Sequence, residues 1–325
     1  MQQPSLPPPD TPGPGNAAAW ALPPRRAAAR RPRRPRSTGP ADRAPDRDLL
    51  ARAALPPVPS TLLIPLAARA HGARYFPWLD CQDAVAGGLL DRLGADVTAT
   101  LNDLPTVLNV LWRTRAIKDA GRAFFGAHGQ GLGVNLGCGL AQHFQWLDTG
   151  HNHWLDADLA EVMSLRQRLL APLGPRARHA VVNLAQPGWW QRLRLPERHD
   201  TAQPVLLVCE GVLMYLEPPQ VQAVLAEFAQ HAPPGSRMVL DVLTRAAVGH
   251  ASRHASMAPT GAEFRWGVGR VTELAQAHPR LAVLREQSVA DCYGWSGIAF
   301  DALWRPWLGA PLYGMVTLGV RDGGG

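Results

Sequence analysis

Long apolar runs are missing from this chain. No stretch of about 18 apolar residues occurs, and its first residues hold no apolar core of the kind that marks a secretory signal. The expectation is a soluble, cytoplasmic protein with no membrane-embedded part. Cysteine is equally sparse: Cys81, Cys138, Cys209 and Cys292 stand far apart with no C-x-x-C pair. That spacing suggests neither a zinc site nor a disulfide framework, so reduced thiols and no bound metal are expected. Lysine is almost absent, Lys118 being alone among 33 basic residues, which reads as codon bias toward Ala, Arg, Gly and Pro rather than as chemistry.

What is present divides unevenly. Residues 1–47 carry nine Arg against Asp10, Asp42 and Asp46, which leaves only +1 of the +7 net charge for the other 278 residues. The bulk of the chain therefore lacks an electrostatic footprint for DNA or RNA, and any nucleic-acid contact is expected to be weak and confined to the Arg-rich arm. Residues 1–57, dominated by Pro, Ala and Arg, cannot bury enough apolar surface to offset their ordering entropy and read as a disordered extension. Residues 58–325 read as the folded domain. From Ser60 to Phe125 the pattern is helical, with stretches at Ala84–Leu93 and Leu104–Ile117. Strands and helices then alternate: strands near 132–137, 152–156, 179–183, 204–209 and 237–242, and helices after Gly139, near 159–170 and near 218–231. Such alternation predicts an α/β fold, a parallel, doubly wound sheet behind a helical N-terminal preface, with ligands at the strands' C-terminal ends. The region beyond Leu243 is less regular and ends in a predicted antiparallel strand, Leu312–Val320.

The most informative segment is Val134-Asn135-Leu136-Gly137-Cys138-Gly139-Leu140, followed by Asp156 and Asp158. Two glycines two apart let the backbone turn where a side chain would block a ligand, and they free amide N–H groups. A carboxylate about 20 residues on is where an open α/β sheet holds the hydroxyls of a ribose. A dinucleotide site would show a third glycine where this chain has Gln142. S-adenosylmethionine has no pyrophosphate and needs no such glycine, so it suits the pattern better than NAD. Glu210, at the end of the apolar run Pro204–Cys209, would be costly to bury without a task.

Six segments carry a family resemblance: Thr61–Ala70, Arg113–Asp119, Val134–Leu140, Trp154–Leu159, Cys209–Leu216 and Gly261–Gly267. In this order the chain resembles the class I S-adenosylmethionine-dependent O-methyltransferases of the leucine carboxyl methyltransferase and polyketide O-methyltransferase family. The resemblance implies a Rossmann-like, seven-stranded methyltransferase sheet, S-adenosylmethionine as cofactor, and O-methyl transfer to a small-molecule hydroxyl or carboxylate, with a polyketide-like metabolite as one candidate acceptor. It implies that Arg113 meets the methionine carboxylate, that Gly137 and Gly139 line the cofactor, and that Asp158 with Asp156 beside it faces the ribose. Asn183-Leu184 falls beside the adenine, where the family has Asp-Leu. Glu210 faces the reaction cavity with Tyr215 shortly after it, and Arg69 matches a basic residue near the substrate. The chain departs from the family after the turn, having Ala141-Gln142-His143 for Asp-Thr-Arg.

Other readings stay open beside these. His143, His254 and Tyr215 are the candidate bases, and Glu210, Tyr215 and His143 the candidate catalytic residues. Asp156 instead reads as a helix cap near Leu159, and Arg113 as part of a solvated face. Trp189, Trp190, Trp295, Trp304 and Trp307 read as packing residues. Tyr293–Gly297, with His254 and Phe264-Arg265-Trp266, alternatively lines an aromatic substrate pocket. The rival functions are a catalytically degenerate binding protein on the same fold and an NAD-dependent oxidoreductase; oligomeric state is left open.

Overall fold

Seven strands form one sheet in the order β3-β2-β1-β4-β5-β7-β6. The computed structural model describes residues 59–195 and 203–322. The extension over residues 1–57 lies outside the described residues. The strands are β1 (Leu132–Leu136), β2 (His153–Asp158), β3 (Ala177–Val181), β4 (Val205–Cys209), β5 (Arg237–Leu243), β6 (Leu281–Ser288) and β7 (Tyr313–Val320). The first five run parallel, and β7 inserts antiparallel between β5 and β6. Helices of eight or more residues are α1 (Leu63–His71), α2 (Ala86–Leu93), α3 (Leu104–Ala127), α4 (Ala160–Leu169), α5 (Pro218–His231) and α6 (Gly294–Leu308).

The apolar runs of β1 and β4 are buried along their whole length because both sheet faces are covered. Leu132, Val134 and Leu136 point with Val205, Leu207 and Cys209 to the face covered by α5. Leu206 and Val208 point to the other, covered by α3 through Val107, Leu111, Ile117 and Phe124. Asp103 caps α3, its carboxylate accepting from Thr106 N at 3.3 Å, and Pro105 sits in the first turn, where no amide is needed. Gly133 is fixed by packing: a Cβ there would lie 2.2 Å from the Trp154 ring.

Two expectations are corrected. The region beyond Leu243 holds a full strand, β6, and a 15-residue helix, α6. The helix expected after Gly139 is only a four-residue turn, Phe144–Leu147. The reason is chemical, since the carbonyls of Gly139 and Ala141 accept from the Arg166 guanidinium at 2.9 and 2.6 Å instead of from amides one turn on. Asp148-Thr149-Gly150 then ends the segment.

Among the described residues no helix is long and apolar enough to cross a membrane. The sheet order brings the C-terminal ends of β1 and β4 side by side where the chain reverses direction across the sheet, the place where open α/β sheets bind ligands.

Two glycine substitutions test this packing. Gly133→Ala is expected to destabilise by about 1–3 kcal/mol, because the Trp154 ring is held on both sides. Gly88→Ala, on an open face of α2 with nothing within 4 Å, is expected to stabilise by about 0.5–1 kcal/mol. Urea unfolding of the two variants would read opposite shifts in midpoint.

Candidate active site

The glycine turn is the first element of the site. Gly137 and Gly139 have φ of +63° and +51°, a region that disfavours side chains, and a Cβ on Gly137 would stand 2.2 Å from Val212. Gly137 N and Cys138 N donate to Ala157 O at 2.8 and 3.2 Å, tying the turn to β2. Asp158, at the end of β2, accepts from Gly139 N and Leu159 N at 2.7 Å each. Burial pushes its carboxyl up, against the pull of those two amides.

Asp156 does not share this role, and the expectation that it faces the ribose is corrected. Its carboxylate is wholly buried and accepts from Arg166 Nη2 at 2.6 Å, Trp154 Nε1 at 2.9 Å and Asn135 Nδ2 at 3.3 Å. Both oxygens are therefore engaged inside the fold. The pair works through Arg166, whose other nitrogen holds the Gly139 and Ala141 carbonyls. Sequence reasoning missed Arg166, although it stands on the apolar stripe of α4 with Val162, Met163 and Leu169.

Glu210 follows β4 and is the hub of the second half. Its Oε1 accepts from Arg113 Nε at 2.7 Å and lies 4.0 Å from Arg69 Nη1, and its Oε2 is 2.9 Å from His143 Nε2. Burial alone would raise this carboxyl, but Arg113, His143 and Arg69 outweigh it and hold Glu210 well below the usual carboxylate range. Arg113 is not on a solvated face. Its Nη1 donates to Asp241 at 3.3 Å and to the Tyr313 hydroxyl at 3.0 Å, and that hydroxyl donates to Asp241 at 2.7 Å. With Nε and Nη1 so engaged, Nη2 is the nitrogen left toward Gly211, where an added Cβ would come within 3.4 Å of it. Asp241 and Tyr313 were not anticipated, though a lone acid inside Met238-Val239-Leu240-Asp241-Val242-Leu243 was the available signal.

His143 is fully buried, and among the described residues its Nδ1 has no hydrogen-bond partner. Tyr215 places its hydroxyl 3.9 Å from Met257 Sδ. Burial pushes that phenol up to about 12, so at neutral pH it is a protonated hydroxyl that can donate a hydrogen bond. The Cys138 thiol, pushed well up by burial, is a filler in the turn.

These residues wall two adjacent cavities. One, about 830 Å³ including its mouth, is lined by Asp158, Leu159, Val182, Asn183 and Leu184. Asn183 Oδ1 accepts from Ala185 N at 2.9 Å, which leaves its amide NH₂ as the free donor. The other, about 950 Å³, is lined by Arg69, Arg113, Gly139, His143, Glu210 and His254. Gly137, Gly211 and Tyr215 border both. A third, mostly apolar space of about 1470 Å³ meets the second at Asn109, Leu243, His254 and Tyr313. Tyr293, Ser296 and Gly297 line this third space, whereas Trp295, Trp304 and Trp307, expected as packing residues, stand on the surface. Trp266 and Trp189 are core.

A sheet with β7 inserted antiparallel, a glycine turn after β1, an acid after β2 and a two-lobed cleft between them define an S-adenosylmethionine-dependent methyltransferase. The comparisons agree. The family model described as leucine carboxyl methyltransferase matches residues 66–229, about half of the chain. The chain is 28% identical over 235 residues, 72% of its own length and 84% of the relative's, to the tetracenomycin polyketide synthesis O-methyltransferase TcmP of Streptomyces glaucescens. A Thermobifida fusca protein of known structure, assigned to the methyltransferases, is similar in fold with a TM-score of 0.52 at 16% identity, over 79% of this chain and 94% of that one. The chain belongs to the leucine carboxyl methyltransferase family. It is an S-adenosylmethionine-dependent O-methyltransferase.

Arg166→Met removes the partner of a buried carboxylate and the clamp on the turn. It is expected to cost about 3–5 kcal/mol, read as a lower urea midpoint. Asp156→Asn with Arg166→Met together should recover part of that loss, because no uncompensated charge remains.

Proposed function

We propose that residues 58–325 form the catalytic unit and that the cofactor lies along the two adjacent cavities. Its adenosine would rest on Asp158, Asn183 and Leu184, and its methionine end on Gly137, Gly139, Glu210 and Arg113. The observation that carries this is that Gly137, Gly211 and Tyr215 stand in the walls of both cavities, with a carboxylate and an amide suited to a nucleoside on one side and an arginine–glutamate pair suited to an amino acid on the other. Carboxylate and ammonium of a free amino-acid end pair naturally with Arg113 Nη2 and Glu210. The Asp156–Arg166 pair acts one step removed, by fixing the turn.

When bound, S-adenosylmethionine supplies a methyl group that is already electrophilic on a sulfonium. The chain's part is to align an acceptor oxygen opposite the sulfur and exclude water. Held by Gly137, Gly139, Glu210 and Arg113, the methionine end would supply that methyl to the acceptor oxygen and leave as the neutral thioether. Tyr215, protonated and bordering both cavities, donates a hydrogen bond that orients the reacting groups. His143, held by Glu210, completes the wall. His254, which borders both the reaction cavity and the apolar space, takes the proton of a hydroxyl acceptor; a carboxylate acceptor needs no base.

The acceptor is a small molecule, and the size and apolar lining of the third space favour an extended aromatic one of polyketide type. The relative named for tetracenomycin polyketide synthesis supports the same class. A cytoplasmic setting accords with buried, unpaired thiols at Cys81, Cys138 and Cys209. Nucleic-acid contact, if present, would be confined to the Arg-rich arm over residues 1–47.

Binding is tested by thermal unfolding with S-adenosylhomocysteine and with NAD. The first is expected to stabilise by about 2.7 kcal/mol at a hundredfold excess over Kd, and NAD not at all. Asp158→Ala should weaken the S-adenosylhomocysteine response at least about tenfold; an unchanged response would place the ribose elsewhere.

Chemistry is tested separately with a labelled methyl donor and a panel of polycyclic phenols and aromatic carboxylates. With a phenol, His254→Ala should lower kcat about 10²–10⁴-fold and remove the acid limb of its pH profile while leaving S-adenosylhomocysteine binding intact. An acid limb that survives the substitution excludes His254 as the base.

A further inference from the structure

The reaction cavity and the large apolar space meet at Asn109, Leu243, His254 and Tyr313, and only two of these have polar side-chain atoms to offer. Leu243 is apolar, and the Tyr313 hydroxyl is spent on Arg113 and Asp241. Asn109 and His254 remain. Among the described residues neither the Asn109 amide nor the His254 ring has a hydrogen-bond partner, and neither is sealed inside the protein. Asn109 stands on α3 with Thr106, Val110 and Arg113, a stripe at helical spacing that lines the reaction cavity, so its side chain faces the throat between the two spaces.

The two sides of the throat are fastened to each other. Asp103, which caps α3, also accepts from Ser256 Oγ at 2.7 Å and from Ser256 N at 3.3 Å, across 153 residues of sequence. Thr106 Oγ1 donates to the same carboxylate at 2.9 Å. Ser256 follows His254 by two residues, so one buried carboxylate holds both the helix that carries Asn109 and the loop that carries His254. Two unpartnered groups kept at a fixed separation suit a ligand whose two oxygens are also at a fixed separation, because neither side must be ordered on binding.

An amide left facing an apolar ring loses its water and gains nothing, so it selects against a ligand that lacks a matching group. We propose that Asn109 determines acceptor specificity by donating to a second oxygen beside the methylated one, the acceptor being an aromatic hydroxyl with a carbonyl oxygen ortho or peri to it. The inference rests on the reading that His254 faces the reacting oxygen. In such a compound the neighbouring carbonyl holds the hydroxyl proton. An amide N–H on that carbonyl competes for it and frees the proton for His254. A carboxamide suits this task because its NH₂ donates at any pH without adding charge to the throat.

Calorimetry on the full chain saturated with S-adenosylhomocysteine tests the role, with ortho-acetylnaphthol and the parent naphthol as probes. The unsubstituted chain is expected to bind the ketone at least about tenfold more tightly. Asn109→Leu should bind both alike, and Asn109→Asp should prefer the parent naphthol, because a carboxylate repels the ketone oxygen. Both substitutions nearly keep the side-chain volume, and a retained S-adenosylhomocysteine thermal shift shows that the variants fold and bind cofactor, so a fault in the cofactor reading is seen separately. A ketone preference that depends on Asn109 while His254→Ala leaves the pH profile unchanged supports the specificity role and moves the base elsewhere. Equal binding of the two probes by the unsubstituted chain, binding of neither, or a ketone preference that survives Asn109→Leu would each overturn the proposal.

Discussion

The site depends first on one buried ion pair. Asp156 and Arg166 are both almost wholly excluded from water, at 0% and 1% exposure, and such a pair is tolerable only when further hydrogen bonds support it; both terminal guanidinium nitrogens find acceptors, while the buried Nε has none among the described residues. Here the surplus hydrogen-bonding capacity of the guanidinium is spent on the carbonyls of Gly139 and Ala141. That choice stops the backbone from winding into a helix after β1 and keeps the turn open. The Gly139 amide is thereby left to Asp158 on the cavity side. A single side chain on α4 thus links the interior of the sheet to the shape of the cleft beside the glycine turn.

The second half of the site is built on the same logic with different geometry. Glu210 gathers Arg113, His143 and Arg69, while Asp241 and Tyr313 hold the other side of Arg113. Positive and negative groups alternate inward from the cavity wall, so Arg113 is oriented before any ligand arrives. Preorganisation of this kind lowers the cost of ordering at the moment of binding. His143 closes the cluster, its Nε2 2.9 Å from the second Glu210 oxygen.

Much of this was legible in the residues. The alternation of strands and helices, the glycine turn and the acid after β2 follow from periodicity and from the few residues able to adopt positive φ, so Gly137, Gly139 and Asp158 could be named in advance. What escaped were long-range pairings. Asp156 and Asp158 have the same spacing logic, and only the three-dimensional approach of Arg166 and Trp154 shows that the first is internal. Asp241 inside an apolar strand and Arg166 on an apolar stripe were visible anomalies whose partners, 128 and 10 residues away, were not. The β6 strand was hidden because its outer residues, Leu284, Arg285 and Glu286, do not alternate cleanly around a bulge.

The most direct measurement is a crystal structure of the full chain with S-adenosylhomocysteine. The adenosine should lie against Asp158, Asn183 and Leu184, and the homocysteine amino-acid end against Glu210 and Arg113. Asp156 should remain bonded to Arg166 without touching the ligand. A ribose held by Asp156, or an amino-acid end remote from the Glu210 cluster, would contradict the account.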